Sequence, residues 1–208
     1  MRCRDIEIVC PACHADLPLL YACAEALPFP DHAFDRIVAD STIEHLRDAD
    51  AALDECARVT NAGAKLFLAT PNRFSIGPDT HTGLPAGGYL PNGVVAANVR
   101  AKGVIPPQRR LYGRGRLRRV LTGHGFAVER IVAPDIAREQ LAGFGRLARV
   151  GASVYNVLLR VPPGRMILDR VGPLLHAVAA RTRAGVPRAA RLGAPVAPGA
   201  AAARGGSR

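Results

Sequence analysis

The chain has 208 residues, 49% of them hydrophobic and 22% charged, which supplies one apolar core and excludes a wholly disordered polypeptide. Its longest apolar runs free of charge, Val150 to Leu159 and Val171 to Ala180, are ten residues each, against the roughly 20 a membrane-spanning helix needs. The N-terminus has neither the apolar core nor the small-residue cleavage site of a secretory signal, so a cytoplasmic protein is expected. The net charge of +11 divides unevenly: residues 1–99 hold 7 basic and 13 acidic side chains, residues 100–208 hold 21 basic and 4 acidic. The acidic half suits a cationic or hydrogen-bonding small molecule and the basic half a phosphate-bearing surface.

The five cysteines, Cys3, Cys10, Cys13, Cys23 and Cys56, are odd in number and follow no secretion signal, so reduced thiols are expected rather than a disulfide framework. Cys10-Pro-Ala-Cys13-His14 matches the pattern of covalent haem attachment, but export and a second axial ligand are not evident. With Cys3, His14 or Cys23 the same pair offers four tetrahedral zinc ligands, though a second knuckle is missing. The preferred expectation is no metal.

Along the chain, short apolar runs alternate with helical periods, the pattern of an α/β layered domain. Ile6 to Cys10 reads as a short strand and Leu19 to Cys23 as a buried one. A turn at Pro28, Pro30 and Asp31 delivers Phe34 into a strand, Arg36 to Ala39. A loop with Asp40, Ser41 and Thr42 follows. A helix is expected from Asp48, its cap, to about Val59, with Ala52, Leu53, Cys56 and Ala57 on one buried face and Asn61-Ala62-Gly63 as its stop. Lys65 to Thr70 is the strongest strand, ended by Pro71. Asn72 to Pro107 reads as a long loop with at most one short helix, the expected place for substrate. Leu111 to Leu121 reads as a basic helix closed by Gly123 and Gly125, and Phe126 to Val132 as a strand. Ile136 to Val161 and Met166 to Arg183 read as two apolar-faced helices. The tail from Gly185 has almost no large apolar side chain and is expected to be disordered.

Four motifs fall in a telling order. Glu25-Ala26-Leu27-Pro28-Phe29-Pro30-Asp31 with Phe34-Asp35, then Ile43-Glu44-His45, then Ala57-Arg58-Val59-Thr60-Asn61-Ala62-Gly63, then Thr70-Pro71-Asn72-Arg73 resemble the class I S-adenosylmethionine-dependent methyltransferases, in particular the type 11 group, over about residues 16–132. The resemblance implies a Rossmann-like sheet of strand order 3-2-1-4-5-7-6. With the element pattern it divides the chain into an irregular segment or makeshift strand over 1–15, a truncated methyltransferase-like α/β domain over 16–134, amphipathic helices over 135–184 and a tail over 185–208. Leu27, Phe29 and Phe34 also have a purely packing role open to them, Asp35 a turn role, and Glu44 a helix-start role.

The resemblance further implies S-adenosylmethionine as cofactor. Its adenine would sit at Cys23 and Ala24 beside Glu25, where cysteine replaces the family's usual acid, and its methionine and sulfonium end along Asp40, Ser41 and Ile43, with His45 facing it or packing. The family's first strand and glycine-rich turn have no counterpart, since Gly113, Gly115, Gly123, Gly125, Gly143 and Gly145 lie far downstream. Two explanations stand: a sequence truncated at its N-terminus, or a shortened paralogue. In either, the fourth family strand is an exposed edge prone to self-association.

Methyl transfer is an in-line displacement that depends on positioning. An oxygen acceptor also needs a base, for which His81, oriented by Asp79, is the candidate. The acceptor is expected to be a small molecule or a lipid or quinone-like compound. The rival is a non-catalytic module whose basic half docks on an anionic membrane surface. Nucleic acid is disfavoured because aromatic side chains are sparse among the arginines.

Overall fold

A computed structural model describes residues 20–77, 84, 86–103, 110–137, 139–141 and 145–182. The expected strand Ile6 to Cys10, the cysteine cluster with His14, the pair Asp79 and His81, and the tail from 185 lie outside these residues.

The elements run β1 (Phe34–Asp40), α1 (Ala49–Val59), β2 (Thr60–Pro71), α2 (Asn92–Ala101), α3 (Arg114–Gly123), β3 (Phe126–Val132), a short 3-10 turn (Glu139–Leu141), α4 (Arg146–Arg160), α5 (Pro162–Val171) and β4 (Leu174–Arg181). Helix α1 begins where the sequence places it. The Asp48 carboxylate accepts from the N–H groups of Asp50 and Ala51 at 3.1 and 3.0 Å, satisfying donors that an α-helix cannot pair internally. Val59 ends α1 and Thr60 already belongs to β2. Four residues of β2, 61–64, then stand against one of β1, Asp35, between the pairs Phe34–Thr60 and Arg36–Lys65. Gly63 absorbs that bulge at φ +84°, a conformation costly for a side chain.

The sheet order is β1-β2-β4-β3, with β1 parallel to β2 and β4 antiparallel to both of its neighbours. This is the 4-5-7-6 end of the order that the sequence resemblance implies. One face carries Leu66, Leu68, Leu175, Ala177, Ala179 and Ile131, packed with Leu53, Leu117, Leu121 and Phe126 in a continuous core. No described strand pairs with the outer edge of β1, and Val38 on it is 72% exposed.

Three expectations are corrected. Leu19 to Cys23 is not a buried strand: among its described residues Leu20 and Tyr21 are exposed, and the segment contributes only a single bridge, Cys23 to Ala26. The helix expected over Met166 to Arg183 stops at Val171, and Gly172-Pro173 leads into β4, which occupies the sheet between β2 and β3. Residues 174–181 therefore belong to the α/β layer, which does not close near residue 134. Finally, α4 starts at Arg146, ten residues later than expected for the first C-terminal helix.

Candidate functional site

In an open α/β sheet, ligands bind outside the carboxyl ends of the parallel strands. Here that position is the end of β1 and β2. Asp40 closes β1 with its side chain exposed, and Ser41 turns the chain in the left-handed region at φ +50°, where a residue with a Cβ stays only if held. It is held by its N–H donating to the carbonyl of Ala69 on β2 at 3.0 Å, while its hydroxyl donates to Asp40 Oδ1 at 3.2 Å. Thr42 Oγ1 donates to the Asp40 carbonyl, and His45 N–H to that of Thr42, each at 3.0 Å.

The turn so formed buries Ile43 in the core and Glu44 beside it, 1% exposed. Glu44 does not start a helix; α1 begins five residues later and Asp48 caps it. Its Oε2 accepts from Thr70 Oγ1 at 2.9 Å, and its carbonyl accepts from Arg110 N–H at 2.8 Å. Glu44 Oε1 is fully buried with no hydrogen bond, and His45 Nε2 stands 3.9 Å from it. An unsatisfied buried carboxylate oxygen is costly, which marks the place as one that expects a donor or a cation.

The rim opposite is tied together by Asn72. Its amide donates to the carbonyls of Arg170 and Gly172 at 2.8 and 2.9 Å, and its Oδ1 accepts from Phe74 N–H at 3.1 Å. Arg73 N–H donates to the carbonyl of Tyr112 at 2.9 Å. Gly88 lies so close to Arg73 that a Cβ there would sit 1.9 Å from its carbonyl oxygen.

The Cys23–Glu25 segment reaches this end of the sheet by another route. Cys23 Sγ donates to Glu25 Oε2 at 2.9 Å, and Glu25 Oε1 accepts from Asp48 N–H at 3.4 Å. Burial pushes the Glu25 carboxyl up, but the Cys23 thiol and backbone N–H groups outweigh it and hold the group below the ordinary 4.5. Ala24 is half-buried between them. Cys23 thus engages a carboxylate of its own turn, and the acid that position 23 lacks stands two residues on.

The Leu27 to Asp31 motif has a structural task. Arg58 on α1 donates to the carbonyls of Leu27 and Phe29 and to the carboxylates of Asp31 and Glu55, all within 2.9 Å, and Leu27 N–H donates to Glu55 at 2.8 Å. Phe29 and Phe34 pack edge to face with centroids 4.8 Å apart. Asp35 accepts from the Asn61 side chain at 2.7 Å.

One titratable group escapes sequence reasoning. His176 sits on β4 opposite Ala69, itself the register partner of Asp40, so the three share one row on the open face of the sheet. Burial lowers its pKa from the ordinary 6.5, more than the Asp40 charge raises it. The signal that could have found it is Gly172-Pro173, which breaks a helix and opens an alternating segment. A cavity of about 530 Å³ lies elsewhere, between α1 and α3, lined by Asp50, Arg116, Arg119 and His124 among others. Among the described residues no group of three or more His, Cys, Asp or Glu side chains is placed to hold a metal, and no helix is long and apolar enough to cross a membrane.

The strand order of this sheet is that of the 4-5-7-6 part of the class I methyltransferase sheet that the sequence resemblance implies. Comparison with known proteins finds a match of residues 9–68 to the family described as "Methyltransferase domain". A probable S-adenosylmethionine-dependent methyltransferase of Mycobacterium tuberculosis is 41% identical over 56 residues, 27% of this chain and 20% of that protein. A ubiquinone/menaquinone biosynthesis C-methyltransferase of Chromobacterium violaceum is 44% identical over 52 residues, 25% of this chain and 21% of that protein. The matches thus span about a fifth of the length of these relatives. A solved S-adenosylmethionine-dependent methyltransferase from Mesorhizobium loti superposes with a TM-score of 0.45 at 20% identity, covering 77% of this chain and 68% of that one.

Proposed function

We propose that this chain is part of an S-adenosylmethionine-dependent methyltransferase and that the turn from Asp40 to His45 faces the methionine and sulfonium end of the cofactor. The observation that carries this reading is Glu44, whose buried carboxylate keeps one oxygen without a hydrogen bond at the carboxyl end of β1. A cationic sulfonium or the ammonium of an amino acid is attracted to such a field. The described residues fit that end of the cofactor: Asp40 and Glu44 supply negative charge, and Ser41, fixed to β2, sets the turn. Cys23, Ala24 and Glu25 are proposed for the adenine side. When bound, the cofactor supplies an electrophilic methyl group, and the protein's share is to orient it against the acceptor and exclude water.

For the acceptor we propose a quinone-like or other lipid compound, on the strength of the Chromobacterium violaceum relative's name and the apolar helices beside the Asn72 rim. An oxygen acceptor needs a base. His81 with Asp79 remains the proposal from sequence, and His176, whose pKa burial lowers from the ordinary 6.5, is a second group able to take a proton.

The test is calorimetric titration of the full chain with S-adenosylmethionine and, separately, with S-adenosylhomocysteine, which lacks the positive sulfur. Saturable binding that favours the cation, and a several-fold loss of that preference in Glu44→Gln, is the expected result. A chain that melts cooperatively yet binds neither compound overturns the proposal.

A further inference from the structure

Helix α4 buries Ala152 and Leu159, with Tyr155 and Asn156 half-buried on the same side, where they bond the carbonyls of Pro134 and Ile136. At about 100° per residue, Val150, Val154, Val157, Leu158 and Val161 fall on the opposite side. They are between 41% and 61% exposed. Met166 and Ile167 on α5 are 59% and 57% exposed as well, and α5 has no buried residue at all. An amphipathic helix in a folded domain normally turns its apolar stripe inward; this one turns it out.

The charge around the ridge is of one sign. Helices α4 and α5 carry Arg146, Arg149, Arg160, Arg165 and Arg170 against a single carboxylate, Asp169. That carboxylate is turned inward, accepting from Ala133 N–H at 2.9 Å and facing Arg114 at 3.6 Å. On α4, Arg146 and Arg160 lie together along one flank of the valine ridge. An apolar stripe bordered by arginines and free of outward acid is the pattern of a helix that lies in the plane of a bilayer interface. The apolar side chains enter the acyl boundary, and the guanidinium groups meet headgroup phosphates.

We infer that the outward face of α4 and α5 docks this protein on an anionic lipid surface. This inference stands independently of methyl transfer. Charge selects lipid over a second copy of the chain, because two such faces brought together would oppose their arginines without a carboxylate between them. It selects lipid over nucleic acid because the centre of the face is aliphatic and offers no ring for a base to stack on.

The experiment is flotation of the full chain with phosphatidylcholine vesicles and with vesicles also containing phosphatidylglycerol. Binding to the anionic vesicles alone is expected. The double variant Val154→Asp/Val157→Asp, whose circular dichroism checks that the fold survives, should bind about tenfold more weakly or less. The chain has no tryptophan, so Val157→Trp provides a background-free reporter, whose emission should shift to shorter wavelength on anionic vesicles. Electrostatic adhesion by arginines elsewhere would leave the aspartate variant's binding and the reporter's emission unchanged, and that result overturns the inference. So does a concentration-dependent dimer in solution that Val154→Asp breaks while no vesicle is bound.

Discussion

The two helical layers of this molecule use their apolar side chains in opposite ways. Helices α1 and α3 press Leu53, Leu117 and Leu121 onto the sheet until almost nothing of them is exposed, whereas α4 and α5 are tied down by a few hydrogen bonds and leave seven large apolar side chains in solvent. An apolar stripe thus stabilises the fold in one place and offers a surface in the other. Where the stripe points, not whether it exists, separates core from interface.

Mutations sharpen this contrast. Leu117→Ala, at a position with no exposure, should cost about 2–5 kcal/mol in chemical denaturation, whereas Ile167→Ala on α5 should cost within about 0.5 kcal/mol. Equal losses at the two sites would erase the distinction. Arg181→Met comes next. Its buried guanidinium donates to the carbonyls of Ala57, Gly125 and Thr182 at 3.0–3.1 Å, so losing these charge-assisted bonds should cost about 1–3 kcal/mol. Asp48→Ala removes the α1 cap and should cost about 1 kcal/mol by the same measurement.

Two smaller effects concern protonation. The folded pKa of His176 lies below its ordinary 6.5, so protons bind the unfolded chain more readily. Stability is unaffected well above pH 6.5, where the ring is neutral in both states, and is lost as pH falls from 6.5 through the folded value. His176→Gln should flatten that part of the stability profile against pH. Cys56 has its thiol pushed up to about 11, by burial first and the Glu55 charge second. It should resist alkylation at pH 8 until the chain unfolds, as mass spectrometry of the labelled protein would show.

Much of the first layer was legible because its signals are local. Asp48 caps α1 whatever else the chain does, and Pro71 ends β2; Asn61-Ala62-Gly63, expected to stop α1, instead lies within β2, where Gly63 serves a bulge. The motif from Glu25 to Asp31 was legible as family resemblance, but its task was not. Sequence gave no sign that Arg58 would gather Leu27, Phe29, Asp31 and Glu55, because those groups meet only when α1 folds back along the sheet. The buried state of Glu44 was hidden for the same reason: its partner Thr70 lies 26 residues away on the next strand.

Strand β4 shows where local reasoning fails. Leu174 to Arg181 is built of Leu, Ala, Val and Arg around one His, a composition that favours helix. Pairing with β2 on one side and β3 on the other overrides that preference, since burial between two strands outweighs a few tenths of a kcal/mol per residue. By itself, then, the sequence determined the α/β class, the family resemblance, and the β1, α1, β2, α3 and β3 elements, all specified by neighbours within a few residues. Only the tertiary structure decided that β4 enters the sheet, that His176 shares a row with Asp40, that Glu44 keeps an unbonded oxygen, and that the apolar face of α4 looks outward. Each of these depends on contacts between residues far apart in the chain, which no local pattern encodes.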